Sequence, residues 1–387
     1  MNGEFTVPRR IEIIGGGPAG LYVASLIKRD DPSTHVRIRE QNRSGATWGF
    51  GVVFSDQALD FLKIGDPEAY ELITPRMERW RNMTLVHRGE TVTLDGIGFA
   101  AIGRLDLIQI LQTRAISAGV EIVHETLVTD IDDLEADLII GADGLNSIVR
   151  GDGRLFDAKM DHFTNRFAWF GASRPFQTLT QTFLKTASGA MNAHHYRYAS
   201  DISTFIVECD ESSFFGQGFD AMNETDTAAA CEQIFADTLE GASLIANRSI
   251  WRQFPKLWCE KWHHENKVLV GDAAHTAHFS IGSGTRLAME DAIALASALR
   301  DHDDITEALA AYEDNRKPVA EKIVAAANTS ALWYDSFGEK MALEPVEFAF
   351  DYLTRSGRVD SDRLRKLSPE FMKRYDAQKA EGAMAAI

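Results

Sequence analysis

The chain has 387 residues, 45% of them hydrophobic and 25% charged, with a formal net charge of −17 from 57 acidic and 40 basic residues. That length allows two domains sharing one large core, the composition is that of an ordinary globular protein, and the acidic balance argues against a nucleic-acid partner. Three widely spaced cysteines (Cys209, Cys231, Cys259), a short polar opening at Met1–Arg10 and the lack of any long apolar run argue against a disulfide framework, a CxxC metal or redox site, a signal peptide and a membrane span, so a cytoplasmic protein with reduced thiols is expected.

Residues 10–14 (Arg-Ile-Glu-Ile-Ile) read as a buried strand, residues 21–28 as a helix, and residues 36–40 as a second, alternating strand. This βαβ unit implies a parallel sheet. Its turn spells Gly15-Gly16-Gly17-Pro18-Ala19-Gly20, with glycines spaced GxGxxG. Gly15 suits the tight turn, Gly17 lets a pyrophosphate approach the backbone, and Gly20 lets helix and strand pack closely. The helix N-terminus that follows, after Pro18 and Ala19 of the turn, offers free N–H groups to phosphates. Glu40 lies twenty residues past Gly20, where a carboxylate accepts ribose hydroxyls. An adenine dinucleotide is expected, although this motif does not separate FAD from NAD.

Two strand-like runs within 83–95 flank Arg88-Gly89-Glu90 as a hairpin, residues 105–117 read as a helix, and 120–123 and 136–140 as strands. The pattern then changes: 167–173, 181–185, 194–198 and 202–209 are strand-like without intervening helices, which implies an antiparallel sheet. A helix is expected over 225–239 and a strand at 267–270 that returns to the first sheet. Helices follow at 284–300, 305–335, 343–354 and 361–378, with a frayed tail over 376–387. The expected fold class is α/β. A Rossmann-like dinucleotide-binding domain (1–80, 100–160 and 262–335) is interrupted by an antiparallel-sheet substrate domain (81–99 and 161–261), and C-terminal helices (336–387) close the chain.

Two further motifs follow strands: Gly141-Ala142-Asp143-Gly144-Leu145-Asn146-Ser147-Ile148-Val149-Arg150, and Gly271-Asp272-Ala273-Ala274-His275, after which Gly282-Ser283-Gly284-Thr285 opens a helix. Together with GxGxxG they resemble, over most of the chain, the three fingerprints of class A FAD-dependent aromatic monooxygenases of the para-hydroxybenzoate hydroxylase type. The resemblance implies non-covalent FAD, NADH or NADPH as co-substrate, and hydroxylation of an electron-rich ring by oxygen carried as the flavin C4a hydroperoxide. It implies that Asp272 bonds the ribityl chain and that Asp143 supports the pyrophosphate region and the nicotinamide approach. Arg104, in Arg104-Leu105-Asp106-Leu107, would reach the phosphates, and Leu127 joins the cofactor contacts. After the turn at Gly282, the helix start at Gly284 and Thr285 would aim N–H groups at the N1–O2 anion of reduced flavin.

The sequence departs from the broad family where two prolines are replaced by His278-Phe279, and where the usual Gly-Gln-Gly or Gly-Lys-Gly reads Gly282-Ser283-Gly284. Residues 271–284 and 48–56 are similar to salicylyl-CoA 5-hydroxylases and aminobenzoyl-CoA monooxygenases, and residues 198–209 to the tryptophan hydroxylase of violacein biosynthesis. Aminobenzoyl-CoA relatives, and many salicylyl-CoA ones, carry a second, Old Yellow Enzyme-like domain. With the chain ending at Ile387, hydroxylation without further ring reduction is the expectation.

His278 and Phe279 are expected to line the flavin face, with His278 a candidate to hydrogen-bond substrate or peroxide, and His275 is read as a packing and hydrogen-bonding residue. Trp48, Phe50, His195 and Tyr198 are the candidate substrate contacts. No HExxH and no Cys/His cluster points to a metal. The Trp-x-Trp-x-Ile-Pro segment of flavin halogenases and the close cysteine pair of disulfide reductases are also missing. The expected partner is a small aromatic molecule, first an aryl-CoA thioester such as salicylyl-CoA, second a free aromatic acid or an indole such as tryptophan. The protein would act alone or as a homodimer, away from membranes. A flavin-binding protein without catalysis is the alternative of another class.

Overall fold

In the computed structural model, residues 9–385 are described. β1 (Arg10–Ile14) is buried at every position but its first, as a central parallel strand covered on both faces must be. β2 (His35–Arg39) and β9 (Leu138–Gly141) flank it in parallel. β8 (Glu121–Val123) extends the sheet past β2, and β17 (Lys267–Leu269) extends it past β9. β16 (His263–His264) adds an antiparallel edge. Three separated stretches of chain therefore meet in one sheet. α1 (Pro18–Asp30) packs against α4 (Arg104–Ser117) and α8 (Gly284–Asp301), and α8 in turn packs against α9 (Ile305–Lys340).

A small antiparallel sheet not expected from the sequence, β3 (Gly51–Ser55), β7 (Phe99–Gly103) and β4 (Glu78–Trp80), forms one wall of the site described below. α2 (Asp60–Gly65) and α3 (Pro67–Ile73) fill the connection between β3 and β4.

The second large sheet runs β10 (Ala158–Ala172), β13 (Ser203–Cys209), β12 (Ala190–Arg197), β11 (Leu179–Lys185), β5 (Met83–His87), β6 (Glu90–Leu94). β14 (Leu244–Ile245) and the unexpected β15 (Arg252–Cys259) also pair with β10. The sheet is antiparallel as expected, except that the 83–95 hairpin joins it through a parallel β5–β11 pair. Phe170, Phe205 and Phe235 belong to the core beneath α5 (Glu211–Gly216), α6 (Glu224–Ile234) and α7 (Ala236–Leu239), while Phe183, Trp333, Tyr334 and Phe348 form a second core under α9 and α10 (Pro345–Thr354).

Three helix expectations need correction. The helix expected over 225–239 breaks at Phe235 into α6 and α7. The helix expected over 361–378 is two helices, α11 (Ser361–Leu367) and α12 (Pro369–Ala385). Pro369 cannot continue a helix from the preceding turn, and Asp95 holds the break by accepting from Ser368 Oγ at 2.8 Å and Phe371 N at 2.9 Å. Where a frayed tail was expected from 376, α12 continues to Ala385, and residues 386–387 lie outside the described residues. α9 also runs unbroken through residue 335, where the sequence reading placed a boundary.

Between the second sheet and α9, Glu208 is buried beside Asn165, which donates to it at 3.0 Å. Burial pushes its carboxyl up to about 8. The folded chain thus takes up a proton that the unfolded chain releases near pH ~4.3, and stability falls as pH rises from there through 8. Glu208→Gln should flatten that fall, so the melting temperatures of variant and parent diverge by several degrees in the variant's favour between pH 5 and 8, read by thermal denaturation.

Candidate active site

The turn between β1 and α1 is built as its glycines require. Gly15 has φ +106°, and a Cβ there would stand 2.4 Å from the Ala142 carbonyl oxygen; a Cβ at Gly20 would stand 2.0 Å from the Gly15 carbonyl oxygen. At Gly17 a Cβ would meet nothing within 4 Å, which leaves room for a ligand over the uncapped start of α1. Glu40 accepts from Gly16 N and Asn42 N, both at 2.7 Å, so its carboxylate is held beside this turn. Leu127 is two-thirds exposed nearby, one residue after Thr126, whose N–H donates to the Glu40 carbonyl.

The second and third motifs close on the first. Asp143 Oδ2 accepts from Ile148 N at 2.7 Å and fixes that turn, while its buried Oδ1 has no partner and burial pushes the carboxyl above its ordinary value. Arg150, not singled out from the sequence, donates to the Ala273 carbonyl at 2.8 Å and to the Leu145 carbonyl, tying the two motif turns together. His275 plays the hydrogen-bonding part expected of it. Its Nε2 lies 2.9 Å from Asp291 Oδ2, which also accepts from Gly271 N at 2.9 Å, and Arg316 Nε donates to Asp291 Oδ1 at 2.7 Å. Burial raises the Asp291 carboxyl, but His275 and Arg316 outweigh it and hold the group below its usual range.

These turns open on a cavity of about 520 Å³. On one wall stand Arg104, Asp272 and Gly282–Thr285. Asp272 is open to the cavity yet enclosed by protein, which raises its carboxyl against the opposing pull of His275 and Arg104. Arg104 donates to Thr47 Oγ1 at 3.2 Å, and its guanidinium is in no ion pair among the described residues; burial lowers its pKa, and Asp272 partly offsets that. Gly282 turns the chain at φ +63°, and Ser283 makes no side-chain cap, so the first N–H groups of the 18-residue α8 are left to a ligand. Much of the remaining lining is aromatic or apolar: Phe167, Trp169, Tyr196, Ile206 and Phe279, with His194 among them.

The structure separates several of the sequence candidates. Phe279 lines the cavity. His278 instead packs against Phe163, Phe254 and Phe279, and its Nδ1 accepts from Ser280 N at 3.3 Å. His195 is turned to the far face of the sheet, between Phe176 (4.0 Å) and Phe205 (5.3 Å), with its Nε2 3.0 Å from Thr182 Oγ1. Trp48, Phe50 and Tyr198 do come together, but around a second cavity of about 500 Å³ that shares Arg104 with the first. There Arg248 stacks at 3.5 Å over Trp48. Two side chains face the main cavity from the 190–197 strand, His194 and Tyr196, and neither was among the substrate-contact candidates. Among the described residues no group of acidic, histidine or cysteine side chains is arranged to hold a metal, and no helix is long and apolar enough to cross a membrane. All three cysteines are free and buried.

Known proteins match this arrangement. The FAD binding domain family matches residues 112–327. The chain is 38% identical over 382 residues to a salicyloyl-CoA 5-hydroxylase of a Streptomyces species, covering 95% of this chain and 73% of that protein. It is 33% identical over 352 residues to the 3-hydroxy-4-methyl-anthranilyl-(aryl-carrier protein) 5-monooxygenase of Streptosporangium sibiricum, covering 90% and 95%. Among solved structures, 2-methyl-3-hydroxypyridine-5-carboxylic acid oxygenase superposes with a TM-score of 0.66 at 18% identity, over 90% of this chain and 96% of that one. At that identity the likeness speaks for the fold.

Proposed function

The chain belongs to the FAD binding domain family, as a flavin-dependent aromatic hydroxylase, and from that premise we propose that it hydroxylates an aryl thioester, with a salicyloyl group on coenzyme A as the first choice. The residues present suit the cofactor. Gly17 leaves open space at the start of α1, Arg104 is a cavity-lining cation in no ion pair among the described residues, and α8 begins uncapped at Gly284. When bound, FAD supplies the redox chemistry, accepting hydride from NADH or NADPH and activating oxygen.

The chain's own residues hold, orient and shield. Gly15, Gly17, Pro18, Ala19 and Gly20 with Glu40 and Leu127 would seat the adenylate half, and Arg104 would pair with its phosphates as a fork donor. Asp272 would accept from the ribityl hydroxyls. The N–H groups of Gly284 and Thr285 would hold negative charge at the start of α8. Phe167, Trp169, Ile206 and Phe279 keep water from the ring to be attacked. In this reading residues 1–80, 100–160 and 262–335 hold the cofactor, and 81–99 and 161–261 supply the substrate face. The work is cytoplasmic, consistent with three free thiols.

The thioester choice rests on one observation above others. Two relatives named for carrier-linked aromatic substrates, one on coenzyme A and one on an aryl-carrier protein, align with at least 90% of this chain. Arg252 supports it: it lines the cavity, is exposed, and has no carboxylate partner among the described residues, which is what a nucleotide phosphate needs from a rim. Oxidation of NADH by the purified holoenzyme should rise at least about tenfold with salicyloyl-CoA and far less with salicylate or tryptophan, a difference of about 1.4 kcal/mol or more. Stimulation by the free acid or the indole alone would overturn the thioester assignment. No stimulation by any aryl compound would favour a flavin-binding protein without catalysis.

A further inference from the structure

Five histidines are buried in the described residues: His87, His194, His195, His275 and His278. Four have a ring nitrogen in a hydrogen bond within the protein, to the Leu343 carbonyl, Thr182, Asp291 and Ser280 respectively. His194 is the exception. It is 5% exposed, and neither Nδ1 nor Nε2 has a partner. Leaving such a group unsatisfied in the interior is costly, so its position calls for a ligand.

Its position says which ligand. His194 stands in the wall between the main cavity and a smaller one of about 170 Å³, both of which it lines. The smaller cavity runs beneath Leu353 and Arg355. Directly across the β11–β12 pair from His194 is Gln181, fully buried and also lining the smaller cavity. Gln181 Oε1 accepts from Tyr334 at 3.1 Å, while its Nε2 has no partner. Cross-strand neighbours lie about 5 Å apart at Cβ, so one unused amide donor and one unused imidazole stand side by side in the smaller cavity, whose other polar lining residues are Ser55, Ser280, Arg355, Ser356 and Tyr352. Burial, and then Arg355, lower His194 to about 3. The ring is therefore neutral at any working pH, with one nitrogen accepting and the other donating. Its χ2 torsion is soft, so a small rotation offers a nitrogen to either cavity.

We propose that His194 and Gln181 recognise an aromatic ring bearing a hydroxyl or amino group next to a carbonyl: the imidazole accepts the hydrogen of the ring substituent, and Gln181 donates to the carbonyl oxygen. This deepens the hydroxylase reading without requiring that the carbonyl belong to a thioester. The contact fixes which ring carbon faces the oxygen donor and polarises the substituent that feeds electron density into the ring.

The test is ligand binding to the holoenzyme, followed by the visible absorption of its flavin, with two pairs: salicyloyl-CoA against benzoyl-CoA, and salicylate against benzoate. The parent protein should bind the hydroxylated member of at least one pair about tenfold or more tightly, as expected for a lost hydrogen bond that strands a buried partner. His194→Phe keeps the ring shape and removes the orphaned nitrogens. It should retain FAD, melt no lower than the parent, and bring that ratio to about one. His194→Ala should lose the same discrimination. Discrimination in the free-acid pair alone would refute the thioester reading and leave this inference standing. A parent that ignores the hydroxyl in both pairs, a His194→Phe protein that keeps the preference, or one that loses FAD would overturn it.

Discussion

Gly20→Ala is expected to yield a chain that melts many degrees earlier and binds FAD at least about a hundredfold more weakly. The added Cβ would sit 2.0 Å from the Gly15 carbonyl oxygen and 3.2 Å from the Ala142 Cβ. The first is backbone, so the turn itself must move rather than a side chain. Overpacking of a tight contact costs about 1–3 kcal/mol or more, and here the displaced atoms are those that present N–H groups to a pyrophosphate. Gly17→Ala is the matched control. With nothing within 4 Å of its Cβ, it should leave the melting temperature within a degree or two and weaken FAD binding alone. Thermal denaturation of the cofactor-free chains and FAD titration by fluorescence quenching separate the two effects.

Asp291→Ala should be comparably damaging for a different reason. Asp291 is fully buried and holds three groups at once: Gly271 N, His275 and Arg316. Its removal takes away one of the two carboxylates that pair with the buried Arg316 guanidinium, leaving Glu290 at 2.8 Å, and breaking a buried pair costs up to about 3–5 kcal/mol. The Gly271 turn also loses its anchor, so Asp272 drifts from the cavity wall and FAD affinity should fall with stability. Urea denaturation at pH 7 measures the first and FAD titration the second. Asp291→Asn keeps the shape and should recover part of the FAD affinity while remaining less stable than the parent.

The cofactor side of this molecule was legible in the sequence because each part has a local cause. Gly15 and Gly20 are demanded by contacts within a six-residue turn, and Asp143 fixes a turn five residues long. The substrate side was less legible. The candidates chosen from the 194–198 run were His195 and Tyr198, whereas the strand turns His194 and Tyr196 to the main cavity and Tyr198 lines the second one. Period-two alternation sets the phase of a strand only when one face is wet, and β12 is buried at every position but the last. Trp48 and Phe50 fell to the same difficulty: β3 and its short sheet pair with strands about fifty residues away, and no local pattern announces such a partner. Pro369, by contrast, was a signal available in the sequence for the break between α11 and α12.

A crystal structure of the FAD complex tests this arrangement most directly. The expected result is an isoalloxazine lodged in the cavity bounded by Arg104, Asp272 and Gly282–Thr285, with the start of α8 at its pyrimidine edge and His194 across the remaining space. A flavin seated elsewhere, with Asp272 and the N–H groups of Gly284 and Thr285 out of its reach, would contradict it.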